Sequence, residues 1–353
     1  MIKKSIFLTP LLLLGGESFI EFQSFIANNA IPLKNIASDW SGKYQSPKKH
    51  FKVLEFSDLQ IGYKDQNFSI SYIIKSDLFI KASKDFSDLL YTVKQSQDLQ
   101  TNRVYDLSLK LEGFVVQGLK YGQKIYNYKK DSLEISVKGF VSVLKGEFLQ
   151  YADIKGFAVA SDKNTYSFNA DMEYYYSKNY FYDLTVKKPS AIGYSGDISI
   201  NTRFKNYSFN LICENLVGYL FWKNAPYSDV HLKSNNTKIE NGEKKYNPTV
   251  YGYEGKRSLK EKISPKITST LSYNNDFYKI SLSNLHYKSI NLPFITIEKP
   301  AKNYTLSLQY ETSFKTMTIS IKNKRFSFFI GAENPNLKIN RSFHLGFSFF
   351  HPF

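Results

Sequence analysis

Apolar and polar side chains alternate along most of the chain. In the segment 303–311, Tyr304, Leu306, Leu308 and Tyr310 fall on one face, while hydroxyl and amide side chains fall on the other. A period of two predicts β-strands, because successive side chains of a strand point to opposite faces. The same alternation recurs in the segments 68–75, 106–112, 133–138, 166–173, 198–203, 316–322, 325–332 and 342–349. The chain is therefore predicted to be all-β.

Two architectures produce this pattern: a secreted β-sandwich with an apolar core, and a membrane barrel with an apolar face toward lipid and a polar lumen. Aromatic residues make up 16% of the chain, including 27 Tyr and 29 Phe, and membrane barrels carry aromatic girdles at both interfaces. The opposite positions are mostly Ser, Thr, Asn and Lys. We predict a single transmembrane antiparallel up-and-down β-barrel of about 16 strands, with roughly 14 to 18 as the range.

The N-terminus predicts export. Lys3 and Lys4 precede an apolar run over 6–14, and the small residues Gly15 and Gly16 follow. This is the layout of a secretory signal peptide. We assign residues 1–16 to that peptide and residues 17–353 to the barrel. No apolar run in the chain reaches the roughly 20 residues that a membrane-spanning helix needs.

Both ends of such chains lie in the periplasm, so the number of strands is even. Counting strands back from the C-terminus therefore assigns each connection to the periplasmic or the outer side. The periplasmic turns are then predicted at 64–66, 162–163, 205, 274–275, 299–302 and 323–324. The outer connections are predicted at 82–103, 177–192, 312–313, 333–341 and, as the largest loop, at about 223–263. The same count requires a first strand near 18–28, a pair of strands within 141–160 and a strand at 292–298.

The C-terminal segment resembles the closing strand of bacterial outer-membrane β-barrel proteins, and the length of the chain resembles that of the general porins. That strand carries apolar residues at alternate positions and a terminal aromatic, which are Phe343, Leu345, Phe347, Phe349 and Phe353. The resemblance implies residence in the outer membrane of a Gram-negative bacterium, recognition by the barrel-insertion machinery and a possible homo-oligomer. His351 and Pro352 depart from the pattern. The resemblance to general porins also implies a long loop after the fifth strand that folds into the lumen and constricts it. The corresponding connection here, near 144–148, is too short for that role, so the predicted 223–263 loop is the alternative constriction.

A barrel of this size leaves an aqueous lumen, and polar-face charges would line it. The predicted lumen-lining residues are Lys75, Lys110, Glu112, Lys138, Arg203, Lys279, Lys322 and Arg325. A mixed but basic wall predicts a mild preference for anions, because charged rings set selectivity in pores. The alternative is that these charges only brace one another in water.

The net charge of +16 suggests anionic partners. The predicted 223–263 loop contains Lys233, Lys238, Lys244, Lys245, Lys256, Arg257, Lys260 and Lys262. Contact with lipopolysaccharide or capture of anionic solutes is one interpretation, and a solvated flexible loop is the other. Nucleic acid is not expected as a partner, because the chain is exported and its basic residues alternate with lipid-facing ones.

No catalytic or cofactor motif is apparent. His286 and Ser289 are three residues apart and so point to opposite faces of a strand, while His344 and Ser348 lack a neighbouring carboxylate in the sequence. The single cysteine, Cys213, excludes an internal disulfide, and no metal-ligand spacing appears. We therefore expect a non-enzymatic channel for passive diffusion of small hydrophilic solutes. A plugged surface-binding barrel and an outer-membrane lipid hydrolase are the alternatives.

Overall fold

The chain closes into one antiparallel sheet. The computed structural model describes residues 15–36, 38–180, 185–240 and 243–352, and for 235–240 and 243–248 it describes the backbone alone. Within these residues, seventeen strands join in a single sheet. The first strand, β1 (Glu17–Asn28), pairs with the last, β17 (Ser342–Pro352), with Ile20 opposite Phe349. Closure leaves no free edge, as a membrane-spanning sheet requires.

The remaining elements follow in chain order: α1 (Leu33–Ile36), β2 (His50–Lys64), β3 (Phe68–Ser83), α2 (Lys84–Lys94), β4 (Val104–Asp106), β5 (Leu109–Lys130), β6 (Leu133–Ala160), β7 (Thr165–Tyr176), β8 (Ser190–Phe204), β9 (Tyr207–Glu240), β10 (Glu243–Lys262), β11 (Lys266–Asn274), β12 (Lys279–Tyr287), β13 (Ile290–Pro300), β14 (Thr305–Glu311), β15 (Met317–Lys322) and β16 (Phe326–Ala332). No helix in the described part of the chain is long and apolar enough to cross a membrane.

Three of the seventeen strands lie outside the closed ring. β9 pairs with β8 and β11 along its first part, and with β7 and β10 along its later part. β7 and β10 therefore extend the positions of β8 and β11 upward. In the same way, β4 extends β5 along β6. The ring itself contains fourteen strands. The predicted architecture is therefore confirmed, and the strand number is the lower limit of the predicted range and not its central value of 16.

The predicted strand number exceeds the observed one because of β6. The two strands predicted within 141–160 are one continuous strand of 28 residues. Opposite β5, its register shifts where Val116 pairs with Gly146 and Val115 pairs with Phe148. A bulge of this kind reverses the alternation of side chains, and in the sequence that reversal was mistaken for a turn. As a consequence, 162–163 connects β6 and β7 at the outer end and not at the periplasmic end.

The other predicted turns fit the strand boundaries. The turns at 64–66, 205, 274–275, 299–302 and 323–324 fall between consecutive strands, at the end of the barrel where β1 begins and β17 ends. The strand required at 292–298 is β13, and the strand required near 18–28 is β1. The segment 223–263 is not a loop, because β9 and β10 pair through most of it as a long hairpin.

A band of apolar side chains surrounds the barrel. Leu306, Leu308, Ile319, Ile330 and Phe347 are each exposed and share the outer face of neighbouring strands. Such a band is the surface that a barrel presents to lipid. Tyrosines lie at the lower, periplasmic edge of the band. At its upper edge the outward-facing residues are polar. The lower-edge tyrosines are Tyr207, Tyr273, Tyr278 and Tyr304, and the upper polar positions include Gln117, Lys145, Asn284 and His286.

The wall is tall on one side. β9 has 34 residues, whereas β15 has six and β16 has seven. Above the apolar band, the outward face of the tall side is covered by α2 and by the segments around it, where Leu89 and Val93 pack against Ala158. α2 begins at a cap in which the Ser83 hydroxyl accepts a hydrogen bond from the Phe86 N–H.

Candidate functional site

The inward side chains leave a cavity of about 620 Å³ in the periplasmic half of the lumen. β1, β2, β5, β6, β8 and β9 contribute charged or aromatic residues to its wall. The lining includes Phe19, Glu21, Phe25, Phe56, Asp58, Lys64, Lys120, Lys138, Phe140, Asp197, Glu214, Lys266 and His344. The cavity is therefore polar with several ring faces, and it is wide enough for water and small solutes.

A layer of ion pairs crosses the lumen above this cavity. Lys75 on β3 lies with its Nζ 3.2 Å from Glu214 on β9 and 3.5 Å from Asp58 on β2. Lys266 on β11 lies 3.5 Å from Asp77 on β3. Four ring strands separate β3 from β11 by the shorter way round. These contacts therefore bring opposite walls together, and we call these five residues, with Glu112 and Lys288, the cross-lumen layer.

Lys288 and Glu112 complete the layer. Lys288, in the turn between β12 and β13, forms an ion pair with Glu112 on β5, and its Nζ lies 4.7 Å from the centre of the Phe79 ring. Tyr287 packs edge-on against Phe79 at 6.4 Å. The lumen is thus spanned at this level by both charged and aromatic side chains.

Apolar packing fills the lumen on the tall side of the barrel. Trp222 is 1% exposed and lies against Gly146. A Cβ on Gly146 would come within 2.6 Å of the Trp222 ring, so glycine is needed for this close approach. The Trp222 indole N–H donates to Glu261 at 2.7 Å. On the other side of the upper lumen, Phe314 from the connection between β14 and β15 packs among the wall side chains, with its ring centroid 6.3 Å from that of Phe25.

The cavity below the layer keeps one exposed cation without an acidic partner. Lys120 pairs with Asp197 at 2.6 Å, and Lys64 lies 3.4 Å from Glu17. Lys138 faces Lys124 across the β5–β6 pairing, and no salt bridge joins Lys138 to an acid in the described part of the chain. The local potential beside Lys138 is therefore positive.

A second cavity of about 370 Å³ adjoins the first on the short side of the barrel. Glu298 on β13 binds two lysines there, Lys279 at 2.8 Å and Lys322. His344 lies nearby, with its Nδ1 3.1 Å from the Thr318 hydroxyl oxygen. The acids and bases in this part of the lumen are mutually paired.

The predicted lumen residues lie at four places in the structure. Lys75 and Glu112 belong to the cross-lumen layer, and Lys110 lies 2.8 Å from Glu112. Lys138, Lys279 and Lys322 line the cavities. Arg203 lies on the inward side near the periplasmic end, 3.6 Å from Glu134. Arg325 stands apart, in the turn between β15 and β16.

Apart from Lys75 and Glu112, sequence reasoning missed the residues of the cross-lumen layer. Asp58, Asp77 and Glu214 were not singled out, and neither were Lys266 and Lys288. The alternation of side chains could have predicted that these residues face inward, since Asp58 is opposite Lys75 in the β2–β3 ladder. Their pairing across the lumen depends on the flattened cross-section, for which the alternation carries no information.

Four residues of the predicted insertion signature lie on one face of β17. Phe343, Leu345, Phe347 and Phe349 share the outward face of β17, and their neighbours Ser342 and Ser348 face inward. Phe353 and residues 1–14 lie outside the described residues. The terminal aromatic and most of the signal peptide therefore stay predictions.

The histidines do not assemble a hydrolase site in the described structure. His286 has its Nδ1 2.8 Å from Asn291 Oδ1 on the outer face, while Ser289 lies in the following turn. His231 has its Nδ1 2.6 Å from Asp171, beside the ring of Tyr251. Among the described residues, no group of three His, Cys, Asp or Glu side chains could hold a metal ion.

No family model and no curated protein matches the sequence. Some solved structures are similar to the chain at low identity. A TodX deltaS2S3 mutant, a monoaromatic hydrocarbon channel, is 10% identical with a TM-score of 0.48, over 98% of this chain and 92% of that one. OccK9 from Pseudomonas aeruginosa is 9% identical with a TM-score of 0.20, over 96% and 98%. The siderophore receptor PirA from Acinetobacter baumannii is 8% identical with a TM-score of 0.24, over 95% and 80%.

Similarities this distant carry no inference about transport. The strand pairings and the apolar band decide the class, because a closed, even-stranded ring with a lipid-facing belt is the architecture of outer-membrane proteins. The chain is an outer-membrane β-barrel.

Proposed function

We propose that this barrel is an outer-membrane channel for small hydrophilic solutes, with a mild preference for anions. The observation that supports it is the polar cavity of about 620 Å³ within the closed ring. A packed structural barrel has no need of a hydrated chamber lined by both charges and ring faces. Passage is non-catalytic in this proposal and uses no cofactor.

Anion preference follows from the unpaired cation in the chamber. Most lumen charges are paired and cancel at a distance, whereas Lys138 and its neighbour Lys124 lack acidic partners among the described residues. A solute in the chamber experiences the uncompensated charge most strongly, because paired charges largely screen each other. Arg203, Lys279 and Lys322 contribute less, because each of them lies near a glutamate.

The cross-lumen layer makes this a gated channel. A solute moving between the outer mouth and the chamber must pass the level of Lys75 and Lys266, where ion pairs join opposite walls. Breaking such pairs exposes them to water and so restores much of the hydration that closure removed. We infer that the described state is closed and that separation of β3 from β9 and β11 opens the passage.

A second function is favoured by the packed upper lumen. If the layer never opens, the barrel is a closed scaffold that presents its tall side to a surface partner. There, Tyr251 and Tyr253 are exposed on one face with Asp229 and His231. Exposed tyrosines are frequent at protein interfaces. This face would be the binding surface in that case.

Planar-bilayer recording of the purified barrel separates the two. Discrete conductance steps are expected for the channel, with a reversal potential in a salt gradient that favours anions. No conductance at any voltage would reject the channel and leave the closed scaffold. A cation-selective reversal potential would reject only the anion preference.

Four further proposals rest on the sequence. Residues 1–16 act as the signal peptide, and the apolar face of β17 with Phe353 acts as the insertion tag. Lys256, Lys260 and Lys262 on β10 contact lipopolysaccharide above the apolar band, where Lys260 already lies 4.3 Å from the Tyr219 ring centre. The barrel oligomerises through its wall in the fourth proposal, which size-exclusion chromatography with light scattering tests.

A further inference from the structure

A basic groove lies between two neighbouring periplasmic turns. The turns 301–304 and 323–325 precede β14 and β16, and β14 and β15 pair directly between them. The groove encloses about 630 Å³ and is lined by the segments 301–305 and 322–325. It lies at the lower edge of the apolar band, on the short side of the barrel.

The lining contains four cations and no acid. These are Lys302, Lys322, Lys324 and Arg325. Lys322 is engaged by Glu298. Lys302, Lys324 and Arg325 are exposed, and no salt bridge joins them to an acid within the residues that the structure describes. The groove therefore carries about three uncompensated positive charges.

The backbone of the second turn is fixed. The Asn323 side-chain oxygen accepts hydrogen bonds from the N–H groups of Arg325, at 2.7 Å, and Phe326, at 2.8 Å. The Arg325 carbonyl in turn accepts from the Phe350 N–H on β17 at 2.7 Å. The Arg325 and Lys324 side chains thus start from an ordered turn, which reduces the entropy lost when they bind.

The groove adjoins the lipid-facing surface at Tyr304, whereas Thr305 and Lys322 line its lumen side. Tyr304 and Phe326 stand beside it with ring centroids 6.2 Å apart. Above them, Leu306, Ile321 and Phe328 lie in one row across β14, β15 and β16 on the outer face. An anionic head placed in the groove would therefore have acyl chains directly above it. A free anion would use only the polar half of this surface.

We propose that the groove binds the phosphate of an anionic glycerophospholipid from the periplasmic leaflet, with its acyl chains along the row above. Lys302, Lys324 and Arg325 hold the phosphate, and Arg325 supplies a planar two-donor contact to its oxygens. Tyr304 stands at the level of the headgroup, as interfacial aromatics do. This assignment is independent of what passes through the lumen.

Native mass spectrometry of the full-length barrel in neutral detergent tests the assignment, with phosphatidylglycerol and phosphatidylcholine as probes. The variant K302Q/K324Q/R325Q should bind phosphatidylglycerol roughly 100-fold more weakly, because each cation near an anionic surface contributes about fivefold. The control K129Q/K130Q/K205Q removes the same charge from the periplasmic end of β5 and from the turn between β8 and β9, and it should bind as the wild type does. Heat-modifiable migration on gels shows that each variant is folded.

Three outcomes would overturn the proposal. Equal binding of phosphatidylglycerol and phosphatidylcholine by the wild type would remove the need for an anionic head. Equal loss in both triple variants would indicate attraction by net charge without a site. Full displacement of phosphatidylglycerol by an equal concentration of inorganic phosphate would assign the groove to free anions.

Discussion

Lys266 on β11 lies 3.5 Å from Asp77 on β3, although four strands separate these two strands around the ring. The barrel is therefore flattened at this level, and long side chains from opposite walls meet inside it. The same level holds the Lys75–Glu214 and Lys288–Glu112 pairs. Closure of the lumen at this level therefore depends on charge as well as on shape.

Neutralising one cross-lumen pair should open the channel. In K266Q/D77N both charges disappear, so neither group is left buried and unpaired, a situation that would cost about 3–5 kcal/mol. We expect a higher open probability than in the wild type in planar-bilayer recordings. K155Q/D153N is the matched control, because it removes an exposed pair on β6 at 3.1 Å. Identical open probability in all three folded proteins would contradict a gating role.

Selectivity should depend on Lys138. Replacing it in K138Q removes the unpaired charge from the chamber, and the anion-to-cation permeability ratio should fall about twofold to fivefold, since a unit charge about 4 Å away in water contributes about 1 kcal/mol. The reversal potential in a tenfold salt gradient measures the change. K129Q, near the tip of the β5–β6 hairpin, should leave the ratio unchanged. A shift of equal size in K129Q would mean that overall charge sets selectivity.

Arginine should lower the stability of the barrel at one position of β17 and be tolerated at the next. Phe347 is 43% exposed on the lipid face, so F347R should cost about 2–4 kcal/mol of unfolding free energy. Ser348 faces the lumen opposite Glu21, and S348R should be tolerated because the new cation is hydrated and close to a carboxylate. Urea unfolding in lipid vesicles measures both. A larger loss for S348R than for F347R would reverse the assigned faces.

The outer cap around α2 should loosen in acid. Burial raises the pKa of Asp88, but the hydrogen bonds from Lys84, Ser46 and Tyr44 outweigh that effect and hold the pKa below its ordinary value of 3.8. A group with a lowered folded-state pKa stabilises the fold above the ordinary value, and this contribution disappears as the pH falls through the folded-state pKa. Amide exchange in α2, corrected for intrinsic rates, should therefore accelerate below about pH 4.

D88N supplies the control for this effect. Its amide side chain does not titrate in this range, so the exchange rates of α2 should be faster than in the wild type near neutral pH and should lose the acid-dependent step. An acid-dependent step of unchanged size in D88N would place its origin at another carboxylate, such as Asp85, which pairs with Arg103 at 2.5 Å.

The alternation of side chains predicted the barrel, the outward face of β17 and the strand β13. It overestimated the strand number because it is a local pattern. At Gly146–Phe148 a bulge reverses the alternation inside one strand, and this reversal looks the same in a sequence as the end of one strand and the start of the next. Pairing with β5 and β8, which lie elsewhere in the chain, is what identifies β6 as continuous.

The site was predicted only in part, for a related reason. Inward parity identified Lys75, Glu112 and Lys138 as lumen residues, and the structure places them on the inner side of the wall. Parity does not reveal which inward residues meet across the ring. That depends on the cross-section of the barrel, so the partnership of Lys75 with Glu214 follows only from the three-dimensional structure.

The cross-lumen layer also constrains the order of assembly. Lys75 and Glu214 are separated by 139 positions in the chain, and the ring closes only when β17 reaches β1. Contacts between such distant segments form late, because the entropy of closing the intervening chain must be offset first. Until then Lys75 has only Asp58 of the neighbouring β2 as a partner. The nascent barrel must therefore enter the bilayer with this level of its interior open to water, and water leaves the level only as the last strands arrive.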